Sequence, residues 1–239
     1  MRLMSISWLL AAGTLALFLS GCNGSPGRPR PATEVARPED RLDFASLFKT
    51  NCAGCHGENG TNGAAIDLAN PEYQSLVDDQ SLKKWITTGM PGTEMPAFGK
   101  GGSLTGEQID VLVTGMRKNW SQSAVSNTQN SDRPKSLDRP AYLQTQPGDP
   151  EHGQQLYATD CSSCHHPSSQ QITNPAYLAL LSDQALRSIM IAGRPDIGHP
   201  GWQMNRSSSP LSDQNVTDIV AYLGSLRSAT SGQPYPQHP

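Results

Sequence analysis

The chain has 239 residues, 36% of them hydrophobic, with 22 Gly and 19 Pro, which is lean for one large core and suits small domains joined by polar linkers. Lys and Arg number 18 against 21 Asp and Glu, for a net charge of -3, and no long basic run stands out, which argues against nucleic acid as a partner. The one sustained apolar run, residues 8–19, is shorter than the roughly 20 residues of a spanning helix and excludes a polytopic membrane protein, and five Cys are too few for a disulfide-dense scaffold.

Arg2 followed by that run reads as a signal peptide over residues 1–21, with a charged start and an apolar centre. The run ends in Leu19-Ser20-Gly21-Cys22, which resembles the lipobox of bacterial lipoproteins. The resemblance implies that Cys22 becomes the first mature residue and carries lipid on its sulfur; an ordinary export signal cut nearby would leave Cys22 a free thiol instead. Residues 22–40 hold Gly, Pro, Arg and Glu with little apolar content and read as a flexible tether. The expected location is the periplasmic side of a membrane, anchored at Cys22.

Next comes a helix carrying Phe44 and Phe48 that runs into Cys52-Ala53-Gly54-Cys55-His56, and the same pattern returns as Cys161-Ser162-Ser163-Cys164-His165. Cys-x-x-Cys-His is the attachment signal for c-type haem. Two thiols one helical turn apart add across the two vinyl groups of the porphyrin, and the adjoining His is placed over the iron. A four-thiolate zinc site or a pair of redox dithiols would also use four Cys. Neither explains a His directly after each pair, so two haem c groups with their irons are expected, held by Cys52, Cys55, Cys161 and Cys164.

Downstream of each motif the chain repeats. Asn70-Pro71-Glu72-Tyr73 matches Asn174-Pro175-Ala176-Tyr177 at an offset of 104, as Asp79-Gln80-Ser81-Leu82 matches Asp183-Gln184-Ala185-Leu186 and Gly89 matches Gly193. Leu82, Trp85 and Ile86 pair with Leu186, Ile189 and Met190 on one helical face, with Gly at the position that closes a helix. Ile109, Leu112, Val113 and Met116 pair with Val216, Ile219, Val220 and Leu223 on a second amphipathic stripe. The chain reads as a tandem duplication.

Each unit, a helix into the motif, a loop, a helix ending in Gly, a second loop and a final helix, resembles the class I cytochrome c fold over residues 41–120 and 146–228. The resemblance implies an all-α protein of two such domains, with a linker at 121–145 and a disordered tail at 229–239. It also implies a close crossing of first and last helices, commonly built from a Gly and an aromatic. The second unit supplies Gly153 and Tyr157 facing Tyr222. In the first, Phe44 stands at the Gly position and Gly115 at the tyrosine position, a swap that conserves volume with the knob reversed.

His56 and His165 are the first iron ligands, and the opposite ligand is found by subtraction. Met116 and Met190 fall on core faces of helices, which leaves Met90, Met95 and Met204. Met95, followed by Pro96 and then Phe98, resembles the Met-Pro ligand loop of the family, while Met90 sits beside a helix end. In the second unit His199 stands where Met95 stands, with Pro200 and Trp202 matching Pro96 and Phe98. His165/His199 ligation is expected there, with Met204, or an open iron, as alternatives. His166 is expected to be exposed, and His152 and His238 to be solvated.

Two irons with filled positions would exchange electrons with redox protein partners and bind no substrate, so a carrier rather than an enzyme is expected. A peroxidase or a thiosulfate-oxidising cytochrome, or a fixed subunit of a dehydrogenase or oxidase complex, are the alternatives. A soft thioether raises the potential, so the Met-ligated haem should sit higher. The polar joint of about 25 residues spans on the order of 25–30 Å as a coil, which predicts loose docking of the units. Lys83 and Lys84 read as a solvated helix face.

Overall fold

The structure, a computed structural model, describes residues 37–99, 101–121, 139–166, 172–203 and 209–227. The signal peptide, Cys22 with the tether up to residue 36, Met204, most of the joint and all of the tail with His238 lie outside the described residues.

The described residues are helical, with no strand and one isolated antiparallel bridge between Arg194 and His199. In the first half, α1 is Phe44–Asn51, α2 Ala53–His56, α3 Pro71–Leu76, α4 Asp79–Thr88 and α5 Gly106–Met116, extended by a π-helical turn over Arg117–Ser121. In the second, α6 is Pro150–Leu156, extended by a π-helical turn over Tyr157–Cys161, followed by α7 Pro175–Leu178, α8 Asp183–Ala192 and α9 Asp213–Ser225.

The helix starts are written in the sequence. Asp43, Asp78 and Thr105 cap α1, α4 and α5, while Ser182 and Ser212 cap α8 and α9, each side chain accepting from a backbone N–H of the first turn. Such a cap is worth about 0.5–2 kcal/mol against Ala. The matched Asn-Pro pairs also begin helices: Asn70 and Asn174 are N-caps and Pro71 and Pro175 the first helical residues. Helices α4 and α8 stop at Gly89 and Gly193, whose φ values of 70° and 74° are open to glycine at little cost.

The terminal helices cross in both halves. A Cβ on Gly115 would lie 2.1 Å from Cδ2 of Phe44, so the ring seats in the notch that α5 leaves. In the second half the glycine is on the other helix: a Cβ on Gly153 would lie 2.0 Å from the Asp218 carbonyl oxygen. Gly153 therefore meets the backbone of α9, while Tyr157 packs on Tyr222 with centroids 5.5 Å apart. Trp120, in the turn after α5, closes the first crossing, 5.2 Å from Phe48 and 5.8 Å from Phe44. One of its ring carbons would also lie 2.7 Å from a Cβ on Gly60.

Leu82 and Ile86 are buried as the repeat predicts, but α8 is turned. Leu186, Ile191 and Ala192 are buried, while Ile189 and Met190 are half-buried. The cause is a second packing surface. Arg187, 1% exposed, donates from Nε to the Ala141 carbonyl and from Nη1 to Thr217, and pairs with Asp213, so α8 is covered by the end of the joint as well as by α9.

That contact is part of a wider interface, and contacts gather the described residues of both halves, from Glu39 on, into one unit. Trp85 on α4 donates its indole N–H to the Tyr142 hydroxyl at 2.8 Å, and Gln184 on α8 donates to the Tyr142 carbonyl at 2.9 Å. Arg139 reaches Glu72 and Ser75 of the first half. The loose docking expected from the length of the joint gives way to a packed interface, because residues 139–142 are pinned to both halves.

Candidate functional site

The first Cys-x-x-Cys-His motif straddles the α1/α2 junction. The second starts at the end of the π-helical turn that extends α6. Cys52 and Cys161 are half-buried and Cys55 and Cys164 exposed, with none of the four in a disulfide. Among the described residues no group of three or more His, Cys, Asp or Glu side chains converges as a metal cluster, so the two pairs do not build a four-thiolate site. Burial, with the neighbouring Cys55, pushes the Cys52 thiol up to about 12. Burial, with Asp160 and Cys164, pushes Cys161 up to about 11. An environment that resists a thiolate suits the neutral thioether formed on attachment.

His56 is buried, and its Nδ1 lies 2.9 Å from the Ile66 carbonyl oxygen. A hydrogen bond at one ring nitrogen orients the ring and leaves Nε2 available to a metal. Burial lowers the pKa of His56, opposed by that hydrogen bond and assisted by Arg194. A neutral imidazole is the ligand form. The loop behind it is tight: a Cβ on Gly63 would lie 2.2 Å from the Cys55 carbonyl oxygen and 2.5 Å from C of His56.

The two loops that follow α4 and α8 have the same backbone register. A Cβ on Gly89 would meet Met95 O, Pro96 C and Ala97 N, and one on Gly193 would meet His199 O, Pro200 C and Gly201 N, all at 2.7–2.9 Å. Met90 N–H donates to Met95 O at 3.2 Å and Arg194 N–H to His199 O at 2.9 Å. The chains rejoin as well: Leu104 N–H donates to Phe98 O and Leu211 N–H to Trp202 O. Met95 and His199 therefore occupy one structural position, and the extra residues of the second half fall between Trp202 and Leu211. Met95 and Phe98 are half-buried at the edge of the core, with Ile66 beside it.

The rings of His165 and His199 stand 5.8 Å apart, centroid to centroid, at 46°. A metal between two imidazoles, bonded at about 2.0–2.1 Å to each nitrogen, sets ring centres about 6 Å apart. His199 Nδ1 and Trp202 Nε1 are buried with no hydrogen-bond partner, and such groups are costly unless something else satisfies them. Burial and the neighbouring His165 lower the pKa of His199. The unpaired ring nitrogen and indole N–H, the facing imidazoles and the thiols fit a porphyrin with its iron and acidic side arms.

The remaining histidines and methionines fall elsewhere. Met116 is buried on α5 and Met190 half-buried on α8, and His166 is exposed. His152 is exposed, as expected, and also places Nδ1 2.7 Å from Asp218 Oδ2. Lys83 pairs with Asp110, and Lys84 lies 4.6 Å over the Trp85 ring.

Comparison with known proteins finds a family model in each half. The family model described as cytochrome c oxidase, cbb3-type, subunit III matches residues 40–114, and that described as cytochrome c matches residues 150–227. The chain is a tandem of two cytochrome c domains. The cytochrome accordingly carries two covalently bound haem c groups and is a dihaem electron-transfer protein. It is 29% identical over 157 residues to the cbb3-type cytochrome c oxidase subunit CcoP of Azospirillum sp. (strain B510), covering 57% of this chain and 45% of that protein. It is 27% identical over 130 residues to subunit FixP of Sinorhizobium medicae, covering 51% and 37%. To subunit FixP of Rhizobium meliloti it is 23% identical over 199 residues, covering 76% and 59%. The cytochrome thus spans between 37% and 59% of these relatives. Among the described residues no helix is long and apolar enough to cross a membrane.

Proposed function

We propose that the cytochrome is a one-electron carrier between redox protein partners, held on the periplasmic side of a membrane by lipid on Cys22. Cys52 and Cys55 bind the first porphyrin and Cys161 and Cys164 the second. His56 and Met95 hold the first iron, and His165 and His199 the second. When bound, the haems supply reversible one-electron chemistry, and filled coordination leaves no position for a substrate. The observation that carries this reading is the 5.8 Å spacing of the His165 and His199 rings, supported by the shared register of Met95 and His199. Met/His ligation favours the higher potential. Electrons therefore enter at the second domain and leave from the first.

A spectrum of the oxidised holoprotein tests the assignment. One Met-to-iron charge-transfer band for two haems is expected, kept in His199→Ala and lost in Met95→Ala. A band that disappears in neither variant, or ready binding of cyanide by both irons, overturns it.

A second reading, a fixed electron-transfer subunit of a cbb3-type oxidase, is favoured by the match at residues 40–114 and by the names of the relatives. Co-purification with oxidase subunits after mild solubilisation supports the fixed subunit, and recovery of the cytochrome alone supports the carrier.

A further inference from the structure

The two repeats differ most where they meet. Between the motif His and the matched Asn the first repeat has five more residues than the second, since His56 precedes Asn70 by 14 and His165 precedes Asn174 by 9. Asn62 and Gly63 lie in that longer loop. In the second repeat, Arg194 and Asp196 stand where the first has Met90 and Gly92. These two departures pack on each other.

Arg194 is 7% exposed. Its guanidinium holds Asp196 in a two-pronged pair, Nε to Oδ1 at 2.9 Å and Nη2 to Oδ2 at 2.7 Å, and Nη2 also donates to the Gly63 carbonyl at 2.8 Å. Asp196 Oδ2 in turn accepts the Asn62 N–H at 3.0 Å. Beside them Asn70, besides capping α3, donates across the interface to the carbonyls of Ala192 at 2.8 Å and Gly193 at 3.2 Å. Asn174 also caps, donating nothing comparable among the hydrogen bonds described.

Both ends of this latch abut a haem site. The Arg194 backbone exchanges hydrogen bonds with His199 in both directions, each at 2.9 Å. Gly63 packs against the backbone of Cys55 and His56. A short route of covalent and hydrogen bonds therefore runs from His199 through Arg194 to Gly63 and the first attachment motif. Buried, charge-assisted, two-pronged hydrogen bonds are geometrically exacting, which suits fixing one surface against another.

We propose that Arg194, paired with Asp196, is a positioning residue that holds the two haem sites in one relative geometry for direct electron transfer between them. The step moves one electron from the iron of one half to the iron of the other, with no bond made or broken and no proton required of the latch. Electron tunnelling falls steeply with distance, so a fixed separation sets the rate. The inference rests on the proposed carrier reading.

The test uses the full holoprotein, reduced by a pulse that delivers less than one electron per molecule, with redistribution between the haems followed optically. Arg194→Gln and Asp196→Asn should each slow redistribution by about ten-fold or more, the scale on which small displacements of reacting centres act, with both haem spectra unchanged. Arg194→Lys, which keeps the charge and loses the fork, should also slow it. Arg227→Gln is the control: Arg227 bonds Leu178, Leu181 and Asp183 within the second half, so its loss should lower stability and leave the rate alone. Small-angle scattering should show a more extended Arg194→Gln protein. Unchanged rates in both latch variants, or equal slowing in Arg227→Gln, overturn the proposal. A wild-type protein with fewer than two haems by mass, or with substrate-accessible irons, would instead overturn the carrier reading.

Discussion

The Phe44 ring lies so close to Gly115 that a single added methyl group on the glycine would overlap it, at 2.1 Å from Cδ2. Crossing helices need one side without bulk and one side with it, and the two halves solve this in opposite senses. The first puts an aromatic on α1 against a glycine on α5, and the second puts a glycine on α6 against the backbone of α9.

Gly115→Ala should therefore destabilise the first half by about 1–3 kcal/mol through overpacking. Phe44→Gly should cost about 3 kcal/mol or more through the cavity and the added backbone freedom. Denaturant unfolding of the holoprotein measures both, and an unchanged midpoint in Phe44→Gly would show that the crossing does not depend on the ring.

His199→Met should raise the potential of the second haem towards that of the first, because Met/His is the ligand pair that raises it. Potentiometric titration should then show two closely spaced steps where the native protein gives two separated ones. Two coincident steps in the native protein would contradict the ligand assignment.

Asp218 predicts a pH dependence. Burial would raise its pKa, yet hydrogen bonds from the Asp149 N–H, His152 and Gln214 outweigh that, and the net direction is downward from 3.8. A folded-state pKa below the unfolded one contributes stability that is fully present above about pH 4 and is lost as pH falls through the folded value. Asp218→Asn should be less stable at neutral pH and lose less on acidification below about pH 4. Acid unfolding followed by circular dichroism checks this, and parallel curves for the two proteins would refute it.

Cys22→Ser should move the protein from the membrane fraction to the soluble fraction while both haems stay attached. Fractionation with haem staining reads the outcome, and retention in the membrane would point to another anchor.

The haem motifs, the helix-ending glycines Gly89 and Gly193 and the amphipathic stripe of α5 and α9 were legible because each depends on local spacing. The Met95–His199 equivalence was legible for the same reason: both loops are counted from a glycine. Trp120 went unread because it follows the stripe of α5, although an aromatic one turn beyond Met116 was a signal. The roles of Arg194, Asp196 and Asn70 could not be read locally, since a polar residue in a loop looks the same whether it meets water or another domain. The Asp218 partner of the exposed His152 went unread for this reason, and the face of α8 was misplaced because a helix packed on two sides carries no single stripe. Composition gave the joint a coil length, which says nothing about where its last residues are tied.

The common seating of Gly89 and Gly193 has an evolutionary consequence. With the backbone trace held by the glycine and the following proline, the side chain at the position shared by Met95 and His199 is interchangeable without rethreading the loop. After an ancestral gene doubled, three base changes within one codon would have sufficed to set two carriers at different voltages within a single polypeptide.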